Sequence, residues 1–480
     1  MIARDDGMIG IHFMRLGMLA LALGLFFGVI GSFQFLFPEF LRELLFTKTR
    51  PLHVSLVVSW IFLIAIGGIY FYLPRQNNLK LWSYKAANIH FWVFIVTGLA
   101  ILFSYLAGKF GGREYFEFPA ALSVPIFLSW ILFGVNYFRT LRPRKEPWPV
   151  YYWMWGTGIV FFFITFCEAY LWLIPYFRES MIREIIVQWK SYGALTGSWN
   201  MLVYGTAIYV ATRIAGEEKT ATSKMAYSLY FLGLFNLMFG WAHHTYLVPS
   251  ETWIRTFAYF VSMTELFILG KILWDWRGSL ETFRKHKYCN AYSFMFAADI
   301  WVFVNLILAL FISVPAFNLI THGTHITVAH AMGSTIGINT MILLSSIFYV
   351  IREELPERAH TACSNQVRIG YWTANISLAV FFTALVLAGF GRGLYDGLSF
   401  QDMMMQIRPF LLVFAVSGVT LMVGLWIVLW HAYRLTGQVL SPAAGEPVCS
   451  PGLRAPLRRD GLDHEPVSYT HLTLPTNREV

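Results

Sequence analysis

Residues 321–350, THGTHITVAHAMGSTIGINTMILLSSIFYV, form the stretch that decides the fold of this chain. From His325 onward the stretch is apolar and long enough to cross a bilayer as one helix, for which roughly 20 residues are needed. His330 and Met332 lie near its beginning. A polar imidazole inside a lipid-spanning helix is costly and usually has a partner or a function. Taken alone, His330 is either a hydrogen-bonded packing residue or a metal ligand.

The composition extends this interpretation to the whole chain. Of the 480 residues, 57% are hydrophobic and only 13% are charged, which excludes an ordinary soluble globule. We therefore predict an all-α membrane protein, a bundle of twelve transmembrane helices within residues 1–440. The predicted spans are 11–36, 53–74, 87–108, 119–138, 151–175, 187–212, 224–248, 253–274, 291–319, 325–350, 370–391 and 409–433.

The end of the chain differs in composition from the spans. Residues 441–480 are rich in Pro, Arg and Gly and are predicted to be a disordered tail. The last part, about residues 467–480, looks like a translated sequencing adapter. Histidines of this tail are therefore excluded from the site.

Basic residues indicate the orientation of the bundle. They are concentrated in the loops that follow even-numbered spans, which the positive-inside rule assigns to the cytoplasm. Both termini are then cytoplasmic, and we predict a multi-pass protein of the bacterial inner membrane. The net charge of +9 is explained by these loops, so no nucleic-acid partner is expected.

This orientation places four histidines at a similar depth near the outer face. His53 opens span 2, His330 lies just inside span 10, and His243 and His244 lie near the exit of span 7. Neutral imidazoles gathered in a bundle of low dielectric constant suit iron, copper or haem. Adjacent histidines are about 100° apart on an α-helix, so His243 and His244 could share a metal only at a bent or irregular turn, or from a helix edge. No CxxCH motif is present, so a haem would be bound non-covalently.

Four segments together resemble a known family. They are RPLHVSLVVSW (50–60), GREYFEFP (112–119), GWAHHTY (240–246) and HGTHITVAHAMG (322–333). In this order they resemble the haem–copper oxidase superfamily, and more closely the large, cytochrome b subunit of bacterial nitric oxide reductase. The resemblance extends to about residue 435 and implies the subunit I-like fold of twelve helices.

The resemblance also implies two haems b and a non-haem metal. His53 would be an axial ligand of the low-spin haem, and His330 the proximal ligand of the high-spin haem. His243 and His244 would bind the non-haem metal, which is iron in this family, with copper as the alternative.

Three carboxylates take roles from the same resemblance. Glu265 matches a buried glutamate beside the non-haem metal, and we expect it to be catalytic. Glu114 matches a carboxylate associated with a calcium ion that bridges haem propionates. Glu117 matches a neighbour near the proton entry at the outer face.

The sequence departs from the family at two places. Met332 stands where the family has the second histidine ligand of the low-spin haem, and a thioether can also ligate haem iron. If Met332 does not ligate the iron, it is a packing residue and the haem site is altered or missing. In span 6, Tyr192, Thr196 and Asn200 stand where the family has a metal histidine and two glutamates. Tyr192 could complete the metal site; otherwise water or Glu265 completes it, or the site no longer binds a metal.

Three functions follow as hypotheses. The first is reduction of nitric oxide to nitrous oxide, with electrons from a c-type cytochrome subunit or donor. The second is reduction of O2, a chemistry that normally uses a tyrosine near the metal; Tyr192 and Tyr246 are candidates. The third is a remodelled paralogue that serves electron transfer, nitric oxide sensing or nitric oxide disproportionation.

Overall fold

The computed structural model describes residues 7–76, 79–216, 220–249, 251–264, 287–355, 364–395 and 397–441. In these ranges the regular structure is helical, apart from one isolated bridge between Arg113 and Phe116. We number the long helices in chain order. They are α1 (Met8–Leu36), α2 (Phe46–Gln76), α3 (Tyr84–Leu106), α4 (Ser123–Leu141), α5 (Val150–Glu168), α6 (Met181–Ala215), α7 (Lys224–Phe239), α8 (residues 252–264), α9 (Cys289–Ser313), α10 (His325–Glu354), α11 (Asn365–Leu394) and α12 (Phe400–Leu440).

The predicted all-α membrane bundle is confirmed. Within the described ranges, 10 helices are long and apolar enough to cross a membrane. Helix α6 has 35 residues but is less apolar than these ten, because charged side chains such as Lys190 and Arg213 lie along it. The second half of the predicted span 253–274 lies outside the described residues.

Two helices form the centre of the bundle. In their most apolar windows, 94% of the residues of α10 and 78% of those of α2 are buried, against 22% for α3. Lipid is as apolar as leucine, so helices in a membrane associate through close packing at small residues. At the α1–α2 contact, a Cβ on Gly10 would lie 2.3 Å from the carbonyl oxygen of Gly67. Only glycine lets these two backbones approach so closely.

Helix α10 is irregular directly after Met332. Residues Gly333–Thr340 form a π-helical segment, where the sequence predicts a continuous α-helix. The segment packs closely on α9, because a Cβ on Gly333 would lie 2.4 Å from Asn305 Oδ1 and one on Gly337 would lie 2.6 Å from the Trp301 ring. Such π segments occur frequently at functional sites.

Candidate haem and metal centre

His53 lies near the beginning of α2 and is held by the backbone of α1. Its Nδ1 donates a hydrogen bond of 2.8 Å to the carbonyl oxygen of Gly24. A Cβ on Gly28, one turn further along α1, would lie 2.9 Å from the His53 ring. The hydrogen bond fixes the tautomer and leaves Nε2 free for a metal, which is the usual arrangement of a ligating histidine.

One cavity of about 590 Å³ connects the residues predicted to hold both haems. His53 and Met332 line it together with His330 and His244. Apolar side chains of α1, α2, α6, α11 and α12 form most of the remaining wall, including Leu25, Val57, Trp199, Phe381, Leu411 and Phe414. Arg50 and Arg392 also line it and provide positive charge, and His325 is part of the same wall.

These residues fit haem. The cavity is apolar and contains imidazole and thioether side chains, which are haem-iron ligands. Its cationic residues suit the propionates of a haem. His330 Nδ1 is buried and has no hydrogen-bond partner in the part of the chain that the structure describes. The roles of His53, His330 and Met332 as individual ligands stay predictions.

His243 and His244 lie on the 3-10 segment Gly240–Thr245, which continues α7. This is an irregular turn of the kind that two adjacent ligands require, and the ring centroids are 4.2 Å apart. Helix α6 packs directly on the segment, because a Cβ on Gly193 would lie 2.4 Å from Trp241 Cβ. One turn earlier on α6, the indole of Trp189 stacks on His244 with ring centroids 4.9 Å apart.

The side chains of this site are of types that bind a non-haem metal, but they do not form a complete set of ligands. Two imidazoles are adjacent, and His243 Nδ1 is buried with no hydrogen-bond partner among the described residues. Over the same residues, no group of three or more His, Cys, Asp or Glu side chains is arranged to hold a metal ion. Glu265, the predicted catalytic carboxylate, lies outside the described residues.

Tyr192 lines the same cavity, although its closest ring partners are aromatic residues. Its ring contacts those of Tyr115, Phe116 and Trp189. Its hydroxyl is buried and lacks a hydrogen-bond partner within the described ranges. The predicted ligand role of Tyr192 therefore stays a prediction.

The other two substituted positions of α6 are neutral. The Thr196 hydroxyl donates to the carbonyl oxygen of Tyr192 at 3.1 Å. The Asn339 amide of the π-helical segment donates to Asn200 Oδ1 at 3.3 Å. The second contact joins α6 to α10, and neither Thr196 nor Asn200 supplies a group that takes up protons near neutral pH.

Sequence analysis missed two residues of this site, Trp189 and His322. His322 follows the short helix Pro315–Thr321, and its ring lies 6.2 Å from those of His244 and Trp189. His322 belongs to the quoted HGTH motif, which was the available signal. No sequence signal distinguished Trp189 from an interfacial tryptophan.

The loop that carries GREYFE is held together by its own backbone and by Arg50. The N–H groups of Gly111 and Gly112 donate to the Glu117 carbonyl oxygen at 3.0 and 3.2 Å. Arg50, one turn before His53, forms ion pairs of 2.5 Å with Glu114 and 2.7 Å with Glu117. One guanidinium thus pairs with two carboxylates.

This arrangement has consequences for calcium and for protons. Calcium takes six to eight oxygen ligands, whereas Glu114 and Glu117 here face a guanidinium. The described arrangement of these two side chains does not fit calcium, and that role of Glu114 stays a prediction. Burial raises the pKa of Glu117 above its ordinary value, and the charge of Arg50 lowers it only in part. Glu117 therefore keeps its proton to higher pH than an exposed glutamate does.

Comparisons with known proteins agree with the fold described above. The family model of cytochrome c and quinol oxidase polypeptide I matches residues 8–420. A nitric oxide reductase subunit of Stutzerimonas stutzeri is 24% identical over 449 residues, covering 86% of this chain and 91% of that protein. The Cbb3-type cytochrome c oxidase subunit CcoN1 of the same organism is 21% identical over 469 residues, covering 89% and 93%.

A solved structure supports the same assignment for the fold. A heme-copper terminal oxidase dimer, determined by cryo-electron microscopy, superposes with a TM-score of 0.72 at 14% sequence identity. The match covers 91% of this chain and 84% of that chain. The resemblance predicted from the four sequence segments is therefore confirmed. The chain belongs to the cytochrome c and quinol oxidase polypeptide I family of membrane haem–copper oxidases.

Proposed function

We propose that this chain is the haem-bearing catalytic subunit of a nitric oxide reductase. Two molecules of nitric oxide, two electrons and two protons would give nitrous oxide and water. The observation that carries the proposal is the single cavity in which His53 and Met332 are joined to His330 and His244. A low-spin haem for electron entry and a reaction centre would then lie side by side in one apolar space.

The chain would hold its cofactors with residues of α2, of α10 and of the 3-10 segment that continues α7. His53 and Met332 would bind the low-spin haem b, and His330 the high-spin haem b. His243 and His244 would supply ligands to a non-haem iron, or to copper. When bound, the high-spin haem and the metal would accept electrons and stabilise negative charge that develops on the oxygens of the substrate.

The side chains around the centre would bind the substrate and exclude water. Nitric oxide is small and nearly apolar, so an apolar wall that includes Trp199 and Val57 favours its entry over that of ions. Trp189 stacks on His244 and holds the plane of that imidazole. A fixed imidazole keeps its geometry while the substrate binds and reacts, which is the advantage of a preorganised site.

Protons would reach the centre from the outer face through Glu117 and Glu265. Thr196 and Asn200 cannot take up and release protons near neutral pH, so Glu265 would carry the final transfer. Electrons would come from a c-type cytochrome at the outer face. This route requires the predicted orientation, with both termini in the cytoplasm of a bacterial cell.

Reduction of O2 is the second candidate, and one observation favours it. Tyr246 follows the histidine pair by two residues, and its hydroxyl is buried with no hydrogen-bond partner among the described residues. A tyrosine near the metal is what oxygen reduction in this superfamily normally uses. Cytochrome c oxidase subunits are also among the relatives of this chain.

The test is substrate consumption by the purified protein, together with its haem and metal content. We expect two haems b and one non-haem iron per chain, and consumption of nitric oxide. The variants His243→Ala and His244→Ala should lose this activity. His431→Ala is the matched control and should keep it, because this partly buried histidine of α12 contacts Gln366 at 3.1 Å and does not line the cavity.

Other results would overturn the proposal. Rapid consumption of O2 with little consumption of nitric oxide, and copper in place of iron, would support the oxygen reductase. Consumption of neither gas by protein with full haem content would support the remodelled paralogue.

A further inference from the structure

His322 lies closer to the histidine pair than any sequence argument suggested. Its ring centroid is 6.2 Å from that of His244 and 6.2 Å from that of Trp189, which stacks on His244. In the structure the imidazole rings of His322, His243 and His244 do not meet at one point, since no group of three metal-binding side chains is formed among the described residues.

The distances are close to those of a shared metal. With a metal–nitrogen bond of about 2.0–2.1 Å and roughly 1.1 Å from the nitrogen to the ring centre, two imidazoles on one tetrahedral metal have ring centres about 5.2 Å apart. The 4.2 Å between His243 and His244 is shorter than this value, and the 6.2 Å between His244 and His322 is about 1 Å longer, so the His322 ring must move about 1 Å toward the pair to complete the site.

The backbone around His322 is both tethered and open. The buried side-chain amide of Asn318, one turn earlier, donates to the carbonyl oxygen of His243 at 3.3 Å and to that of Ile312 at 2.9 Å. These bonds hold the short helix Pro315–Thr321 against the 3-10 segment. Gly323 follows in the left-handed region, with φ +73°, and a Cβ there would meet no atom within 4 Å. The Asn318 bonds thus keep His322 near the pair.

The competing donor, Tyr192, faces a different group of charges. The ionisable groups that act on its hydroxyl are led by Glu114 and Glu117, with Tyr115 and Tyr170. Neutral imidazole is also a common ligand of iron and copper at neutral pH, whereas a phenol must first lose its proton.

We propose that His322 is the third nitrogen donor of the non-haem metal, completing the set begun by His243 and His244. This inference rests on the proposed function, because it presupposes a metal opposite the high-spin haem. It assigns to Tyr192 a place beside the metal and not on it.

The experiment measures metal content and affinity, not only activity. Full-length protein is purified in detergent, its haems are counted from the pyridine haemochrome spectrum, and non-haem iron and copper are measured against a metal buffer. His322→Ala should weaken non-haem metal binding at least about tenfold, since even partners outside the first coordination shell contribute 10–100-fold. Its two haems should be retained.

Three further variants sharpen the result. His322→Cys should keep the metal, because a thiolate is a ligand, and His322→Gln should lose it. If His322→Ala does not retain its haems, the comparison of His322→Cys with His322→Gln replaces it as the test. Equal metal binding by these two variants overturns the proposal. Tyr192→Phe should bind the metal like the wild type. Wild-type affinity in His322→Ala, or loss of metal in Tyr192→Phe with His322→Ala unaffected, overturns the assignment.

The outcome is separable from that of the proposed function. A wild-type protein that binds a His322-dependent metal and does not consume nitric oxide would overturn the function and support the ligand. A nitric oxide reductase whose metal is independent of His322 would do the reverse. Wild-type protein with both haems and no non-haem metal would overturn both.

Discussion

Replacing Gly28 by alanine tests whether α1 is shaped around the His53 ring. The added Cβ would lie 2.9 Å from both Cε1 and Nδ1 of His53, whereas ordinary contacts begin at 3.4 Å. The ring must therefore move by a few tenths of an ångström. The 2.8 Å hydrogen bond from His53 to Gly24 would be strained by the same movement, since Gly24 and Gly28 lie on one face of α1.

The expected magnitude follows from two opposing terms. Overpacking a well-packed site costs about 1–3 kcal/mol. Alanine in the middle of a helix is more favourable than glycine by roughly 0.5–1 kcal/mol. The remaining cost of at most about 2.5 kcal/mol corresponds to an affinity for the low-spin haem that is weaker by up to about seventyfold, if the strain falls on the ligand.

Gly31→Ala is the matched control on the same helix. A Cβ there would lie 3.7 Å from the side chains of Phe46 and Thr49, which is an ordinary contact. The assay compares haem-to-protein ratios and the rate at which each purified variant loses haem to an apoprotein acceptor. We expect Gly28→Ala to lose low-spin haem faster and Gly31→Ala to match the wild type. Equal haem retention in the two variants would refute the reasoning.

The remaining predictions concern the low-spin haem, the protons and the orientation. Met332→Ala should abolish the thioether-to-iron charge-transfer band, and Met332→His should restore a low-spin haem of lower potential; a bis-imidazole spectrum in the wild type would contradict this. Glu265→Gln should lower nitric oxide reduction by about 10²–10⁴-fold while haem reduction by an artificial donor persists, and retained turnover would exclude it as the proton donor. Because the pKa of Glu117 is raised in the folded protein, its contribution to stability should increase as the pH falls from about 7 to about 5. The melting temperature of the wild type relative to Glu117→Gln should rise over that range, and a relative fall would show the opposite shift. Reporter fusions after Arg144 and after Lys287 should both report cytoplasm, and a periplasmic signal from either would reverse the topology.

The sequence was sufficient for most of the spans, because a bilayer imposes a length and an apolar composition on each helix. Ten helices of the described residues meet both conditions. His53, His330 and His244 line one cavity. The similar depth and the orientation that loop charge and helix direction indicate stay predictions. These properties depend on each segment separately. They need no knowledge of how helices pack against one another.

The third donor could not be predicted in this way. His322 precedes the span that begins at His325, and the side it faces is decided by the short helix Pro315–Thr321 and by Asn318. The π-helical segment Gly333–Thr340 is likewise a packing effect, because two glycines let α9 press Asn305 and Trp301 against α10. A segment that is buried on all sides is apolar on every face. Its hydrophobic pattern therefore cannot show that a turn contains more residues than an α-helical turn does.

The RPLH segment shows how a short motif connects two parts of the centre. Arg50 and His53 are three residues apart on α2, so their side chains project from the same face. Arg50 holds Glu114 and Glu117 of the loop between α3 and α4, and His53 holds the backbone of α1 at Gly24. A displacement of the loop carboxylates is therefore transmitted through a single helical turn to the predicted haem ligand. Loss of the Arg50 charge would leave the buried carboxylate of Glu117 without its cation, and it would also loosen the turn that positions the His53 imidazole.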